Sequence, residues 1–125
     1  MIMQLKNIQH DFDTPAGDVG VTVRLGTKWS HQLPDTVMDL WECPQGHKGD
    51  CVEPQCQWRG TARILGSWVG PFDQLPPALL SIEHNNDCRT VDGLAESMLR
   101  GYGDKFSAES VVTALIYVRT VRAPE

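Results

Sequence analysis

The segment VVTALIYVRTV at residues 111–121 constrains the fold more than any other part of this 125-residue chain. Apolar and β-branched side chains occupy both its odd and its even positions, so the strand that they predict has two apolar faces. Such a strand lies at the centre of a sheet, where both of its faces are covered. We therefore expect a sheet whose central strand comes from the last part of the sequence.

Other strands are expected earlier in the chain, where β-branched content or an alternation of apolar and polar residues marks them. The predicted strands cover residues 2–8, 19–25, 36–43 and 57–70. Gly60 and Gly66 lie inside the last of these and indicate bulges or bends, because a glycine within a strand often marks such an irregularity.

Two helices are predicted between these strands and the final one. Residues 76–84 open on two prolines, which suit a first helical turn. Residues 90–103 carry apolar side chains along one helical face, and Thr90 is a suitable N-cap. This order predicts an α+β fold in one domain over residues 1–125, a small mixed or antiparallel β-barrel with two helices packed at one end.

Composition limits the classes of function. The net charge of −5 argues against an indiscriminate nucleic-acid coat protein, because phosphate binding depends on many lysine and arginine contacts. Most of the 11 positive residues are arginines, so a local basic groove stays compatible with the sequence. No apolar run reaches the roughly 20 residues that span a bilayer, and the N-terminus lacks a secretory pattern. We therefore expect a cytoplasmic monomer that does not associate with membranes.

The strand at residues 19–25 carries an unusual polar face. Its valines share one face, whereas Thr22 and Arg24 alternate with them and share the other. A hydroxyl and a guanidinium side by side have two interpretations. They face water at an edge of the sheet, or they form the floor of a ligand pocket.

The stretch from Gly17 to Arg24 resembles the G-x-K-x-x-T-x-R signature of the ASCH family, the ASC-1 homology domains, whose fold is similar to that of PUA RNA-binding domains. Gly17, Thr22 and Arg24 match the signature, whereas Val19 occupies the lysine position. The resemblance continues in features that follow in the family's order along the chain. These are Phe72–Leu75, Asp87, Tyr102 and the strand at 111–119.

The resemblance implies a cleft between barrel and helices that binds RNA, a nucleotide or a nucleoside. Some ASCH proteins are similar to small amidohydrolases that deacetylate N4-acetylcytidine with a lysine, a threonine and a glutamate. Carried over by position, Thr22 supplies the hydroxyl and Asp87 replaces the acid. Lys28 or His84 would have to be recruited as the base, because a threonine hydroxyl is a poor nucleophile until a base takes its proton.

Side chains for ligand binding are also available. Arg24 and Arg89 can hold a phosphate or a base edge, and Trp29 is a candidate stacking partner for a base. Three functions therefore stay open. The leading one is an RNA- or nucleotide-binding module, and the alternatives are a small hydrolase of acylated nucleosides or a ribonuclease, and a protein–protein adaptor.

Three of the four cysteines fall close together, and a histidine lies among them. The pattern is Cys43-x3-His47-x3-Cys51-x4-Cys56. Four ligands of these types suit a tetrahedral structural zinc ion, although the spacing lacks the tight C-x2-C pairs of common zinc modules. Free thiols are one alternative. A disulfide between Cys51 and Cys56, or between Cys43 and either of them, is another.

Overall fold

The computed structural model describes residues 2–5, 19–43 and 51–122. The strands are β1 (Ile2–Leu5), β2 (Val19–Leu25), β3 (Val37–Glu42), β4 (Gln57–Pro71) and β5 (Val111–Arg122), and the helices are α1 (Pro77–Leu80) and α2 (Val91–Tyr102). Short 3₁₀ turns cover Lys28–His31, Phe72–Gln74, Asn86–Cys88 and Gly103–Lys105. Within these ranges, no helix has the length and apolar character needed to cross a bilayer.

The strands form one sheet in the order β1-β3-β4-β5-β2. β5 lies between β4 and β2 and is antiparallel to both. Residues 111–121 therefore form an inner strand, as predicted, but the middle strand of the sheet is β4. β1 pairs in parallel with β3, and the other pairs are antiparallel. The predicted α+β class is confirmed.

The predicted closure into a barrel is not seen in the described residues, where β1 and β2 are the two edges of an open sheet. The reason lies at the outer edge of β2. There Val21 N–H donates to the Ile82 carbonyl at 3.0 Å, and His84 N–H donates to the Val21 carbonyl at 2.8 Å. A short connecting segment therefore covers the edge that β1 would meet in a closed barrel.

The same segment shortens the first helix. Helix α1 covers only Pro77–Leu80, whereas the sequence predicts helix over residues 76–84. A backbone that pairs with β2 at residues 82–84 cannot also continue the helical hydrogen bonds. Residues 83 and 84 are therefore placed beside β2.

Helix α2 agrees with its prediction. The Thr90 hydroxyl accepts a hydrogen bond from the Gly93 N–H at 3.1 Å, and the helix is followed by Gly103 at φ 61°. The buried Leu94 and Met98 pack with Val21 of β2 in one of the two main apolar clusters. The other cluster lies between β3, β4 and β5 and contains Met38, Leu40, Ala62, Ile64, Leu115 and Tyr117.

Strand β4 is 15 residues long and is bent by irregularities in its pairing with β5. One register shift falls between Ile64 and Gly66, where the sequence predicts a bulge, and another falls between Thr61 and Ala62. A bulge increases the local twist and bends the strand. β4 can therefore pair with β3 at one end and stay with β5 along its length.

Gly20 lets β2 approach the buried ring of Tyr117, its partner on β5. A Cβ atom on residue 20 would lie 2.9 Å from Tyr117 Cζ. Because this ring is only 1% exposed and cannot move aside freely, we expect Gly20→Ala to lower the free energy of unfolding by about 1–3 kcal/mol.

Urea denaturation measures this loss, and Gly66→Ala is the matched control. Nothing lies within 4 Å of the Cβ position at Gly66, so its free energy of unfolding should change by less than about 0.5 kcal/mol. Equal losses in the two variants would contradict a steric role for Gly20.

Candidate functional site

The polar face of β2 is buried. Thr22 is 1% exposed and Arg24 is 9% exposed, which excludes the interpretation of a solvent-facing strand edge. Arg24 Nε donates a hydrogen bond to Thr22 Oγ1 at 3.3 Å. The guanidinium lies over the ring of Trp29, 5.2 Å from the ring centroid, at the distance of a cation–π contact.

A carboxylate and an imidazole lie on residues 83 and 84, in the segment that pairs with the outer edge of β2. Glu83 is 2% exposed and His84 is 8% exposed, and Glu83 Oε1 lies 3.3 Å from His84 Nε2. The same carboxylate oxygen accepts a hydrogen bond from the Asn85 N–H at 2.8 Å. We refer to Thr22, Arg24, Glu83 and His84 as the Arg24 cluster.

Glu83 and two tyrosines act electrostatically on Arg24. Burial lowers the pKa of the Arg24 guanidinium, and the nearby Tyr102, Glu83 and Tyr117 oppose that effect. Tyr102 comes from the end of α2, and its hydroxyl accepts a hydrogen bond from the Leu25 N–H at 3.4 Å. The cluster therefore lies where β2, the covering segment and the end of α2 meet.

Asp87, the acid expected from the family resemblance, lies in the short turn that follows residues 83 and 84. Its side chain is exposed, and its N–H donates to Asn85 Oδ1 at 3.0 Å, as in a capped turn. The carboxylate that the fold buries close to Arg24 is Glu83. A signal for it exists in the sequence, since Glu83 directly follows the apolar residues of a segment predicted to face the core.

The other predicted site residues described by the structure are Lys28, Trp29 and Arg89. Trp29 contacts Arg24, whereas Lys28 is exposed. Arg89 Nε donates to the Glu83 carbonyl at 2.8 Å, and its Nη1 donates to Asn86 Oδ1 at 3.2 Å. Arg89 therefore fastens the turn that carries Glu83.

The three cysteines of the sequence cluster converge. Cys43 follows β3 and Cys56 precedes β4, and their Sγ atoms are at disulfide-bonding distance. Cys51 Sγ lies 3.6 Å from Cys43 Sγ, and the three sulfur atoms all lie within 4.8 Å of one another. All three side chains are buried, and this arrangement could hold a metal ion. His47, the fourth predicted ligand, lies outside the described residues.

These two places offer different chemistry. The Arg24 cluster combines a cation, a hydroxyl, and a carboxylate next to an imidazole, so it offers both hydrogen-bond donors and acceptors in a water-poor environment. The three cysteines offer soft ligands or redox-active sulfur. No family model, curated protein or solved structure matches this chain.

Cys88, the remaining cysteine, is unsuited to act as a nucleophile. It is 4% exposed, and burial, with a smaller contribution from Glu83, raises the pKa of its thiol to about 11. A thiolate is the reactive form of cysteine, so little of Cys88 is reactive near neutral pH.

We expect iodoacetamide at pH 8 to alkylate Cys88 much more slowly in the native chain than in urea, as measured by peptide mass spectrometry.

The same pKa sets a pH dependence of stability. The ordinary cysteine pKa is 9.0 and the folded value is about 11, so the folded state binds this proton more tightly. Unfolding then releases a proton between pH 9 and 11, and the free energy of unfolding falls as pH rises through that window. A Cys88→Ala variant should lack this component of the decline, and an identical decline in both proteins would contradict it.

Proposed function

We propose that the Arg24 cluster binds a ligand that carries a phosphate and a base, either a nucleotide or a single-stranded RNA. The observation that carries the proposal is the burial of an arginine and a threonine on one strand, together with a carboxylate and an imidazole from another segment. Burying a charge costs free energy unless it gains partners. Clusters of buried ionisable groups are accordingly common at functional sites.

Each member has a role that matches its chemistry. Arg24 presents a planar fork that pairs with two oxygens of a phosphate or with a base edge. Trp29 supports the guanidinium from one side and offers an aromatic surface next to it. His84 supplies a second polar group for the base edge, and Glu83 orients its imidazole. The resemblance to ASCH domains supports the same class of ligand.

Exposure indicates the direction of approach. Arg24 and His84 are 9% and 8% exposed, whereas Thr22 and Glu83 are 1% and 2% exposed. A ligand would therefore meet the guanidinium and the imidazole first. Thr22 and Glu83 lie deeper and would orient those two groups.

Binding should depend on the fork of Arg24 and not only on its charge. We expect Arg24→Lys to weaken binding of a short single-stranded RNA or a nucleoside monophosphate about tenfold or more, because a bidentate contact contributes about 1–3 kcal/mol. Amide NMR titration of the labelled protein measures the affinity. In the wild-type protein, the shifts should cluster at β2 and at residues 82–85.

Arg63→Ala is the matched control, because Arg63 is an exposed arginine whose Nη1 lies 3.1 Å from Asp35 Oδ1. Its loss should leave the affinity unchanged. Shifts scattered over exposed arginines, or an Arg24→Lys variant that binds like the wild type, would contradict the proposed site.

A second candidate function is hydrolysis of an acylated nucleoside or of RNA. It is favoured by a hydroxyl next to a guanidinium and by a carboxylate–imidazole pair whose carboxylate acts electrostatically on that guanidinium. Thr22 would be the nucleophile, the Glu83–His84 pair would accept its proton, and Arg24 would stabilise the oxyanion. Because Lys28 is exposed, the role of base passes to this pair.

Turnover distinguishes this candidate from simple binding. With N4-acetylcytidine as substrate, Thr22→Ala should lower product formation about 100-fold or more, because the nucleophile is lost, while Thr22→Ser keeps the hydroxyl and retains activity. Chromatography of the released cytidine measures the rate. A wild-type protein that is saturated with substrate and forms no product would exclude the hydrolase.

For the three-cysteine cluster, we propose zinc as the metal and a structural role. Thiolates are preferred zinc ligands, and a site formed by Cys43, Cys51 and Cys56 would fasten the loop to the ends of β3 and β4. The sequence predicts His47 as the fourth ligand, and the described cysteines carry the proposal without it. Zinc analysis of the reduced chain tests this assignment.

A further inference from the structure

The three-cysteine cluster can exist in two states that exclude each other. A metal site needs the sulfur atoms of Cys43, Cys51 and Cys56 as separate thiolates. A disulfide between Cys43 and Cys56 removes two of these three ligands. The cluster geometry accommodates both states, because the three sulfur atoms lie within 4.8 Å of one another.

We propose that this cluster is a redox-gated zinc site, in which a peroxide joins Cys43 to Cys56 and thereby releases the metal. The proposal rests on the zinc assignment made above and adds its regulation. The reduced chain holds zinc on three thiolates. The oxidised chain holds the disulfide, and Cys51 stays a thiol.

The register of the sheet determines which two cysteines form the bond. Glu42 of β3 pairs with Gln57 of β4, so Cys43 and Cys56 are the next residues across this antiparallel ladder. Their Cα atoms are 4.4 Å apart, within the range that a disulfide requires. The strands hold these two residues together in either state, and the oxidation therefore needs little movement.

Cys51 has a different position in the cluster. It comes from the loop, near a turn in which Cys56 N–H donates to the Val52 carbonyl at 2.9 Å. Its Sγ lies 3.6 Å from Cys43 Sγ. Cys51 is therefore the ligand that metal binding requires and the disulfide does not.

The oxidation balances with a peroxide as the oxidant. One thiolate attacks a peroxide oxygen, the O–O bond breaks, and a sulfenic acid forms while the departing oxygen leaves as water after protonation. The second thiolate attacks the sulfenic sulfur, the S–S bond forms and the hydroxyl leaves as a second water. Two electrons pass from the two sulfurs to the peroxide. Because only one of the three cysteine ligands is then left, zinc dissociates. A dithiol reductant reduces the disulfide and restores the metal-binding thiols.

The experiment begins with the full reduced chain, loaded with zinc and freed of unbound metal. Hydrogen peroxide is then added in steps. A chromogenic chelator measures the released zinc, and alkylation in urea followed by mass spectrometry counts the remaining thiols. We expect one zinc ion per chain at the start, the release of one zinc for every two thiols lost, and a disulfide that maps to Cys43 and Cys56. Dithiothreitol followed by zinc should restore the metal.

Two variants separate metal binding from disulfide formation. Cys51→Ser should still form the Cys43–Cys56 disulfide but should bind zinc at least tenfold more weakly, because one thiolate ligand is missing. Cys88→Ser is the control, since Cys88 is a buried cysteine that is not part of the cluster. It should bind and release zinc like the wild type.

Two kinds of failure are distinguishable. A reduced wild-type chain that takes up no zinc overturns the zinc assignment and the gating with it. A chain that binds zinc but keeps it after the Cys43–Cys56 disulfide forms overturns the gating alone. A disulfide that maps to Cys51, or zinc release without any disulfide, also overturns the gating and leaves zinc binding in place.

Discussion

The pairing of residues 82–84 with the outer edge of β2 is the interaction on which the candidate site depends. Two backbone hydrogen bonds to Val21 satisfy polar groups that an edge strand would otherwise leave unpaired. They end α1 after one turn and place Glu83 at the edge of β2, where its charge acts on Arg24. One short stretch of backbone therefore determines the sheet edge, the helix length and the composition of the cluster.

Burying the charge of Arg24 costs free energy, and the residues around Arg24 reduce that cost. Desolvation disfavours the charged form of Arg24, while Glu83 and the tyrosines at 102 and 117 favour it. The Trp29 ring adds a contact with the face of the guanidinium. A charge held in this way is already oriented and poorly hydrated. This difference separates Arg24 from Arg63, which interacts with Asp35 in exposed surroundings.

The cysteine cluster applies a related principle at the ends of β3 and β4. Antiparallel pairing brings Cys43 and Cys56 together, just as the bridge to Val21 brings Glu83 to Arg24. Side chains far apart in the sequence become chemical partners because backbone hydrogen bonds specify their register. The loop then contributes Cys51, whose sulfur completes a set of three. The ends of β3 and β4 and the three sulfur atoms therefore lie at one place in the fold.

The sequence alone determined the elements whose residue pattern repeats with a structural period. The two apolar faces of residues 111–121 predicted an inner strand, the helical face of residues 90–103 predicted α2, and the alternation in β2 put Thr22 and Arg24 on one face. Only the tertiary structure decided that the sheet stays open in the described residues, that a buried Glu83 acts on Arg24, and that Cys43 faces Cys56. The period of a sequence pattern shows which face of a helix or strand is apolar. Contacts between elements depend on the hydrogen-bond register of the strands and on the residue at which a helix ends and strand pairing begins. A local sequence pattern encodes neither of these.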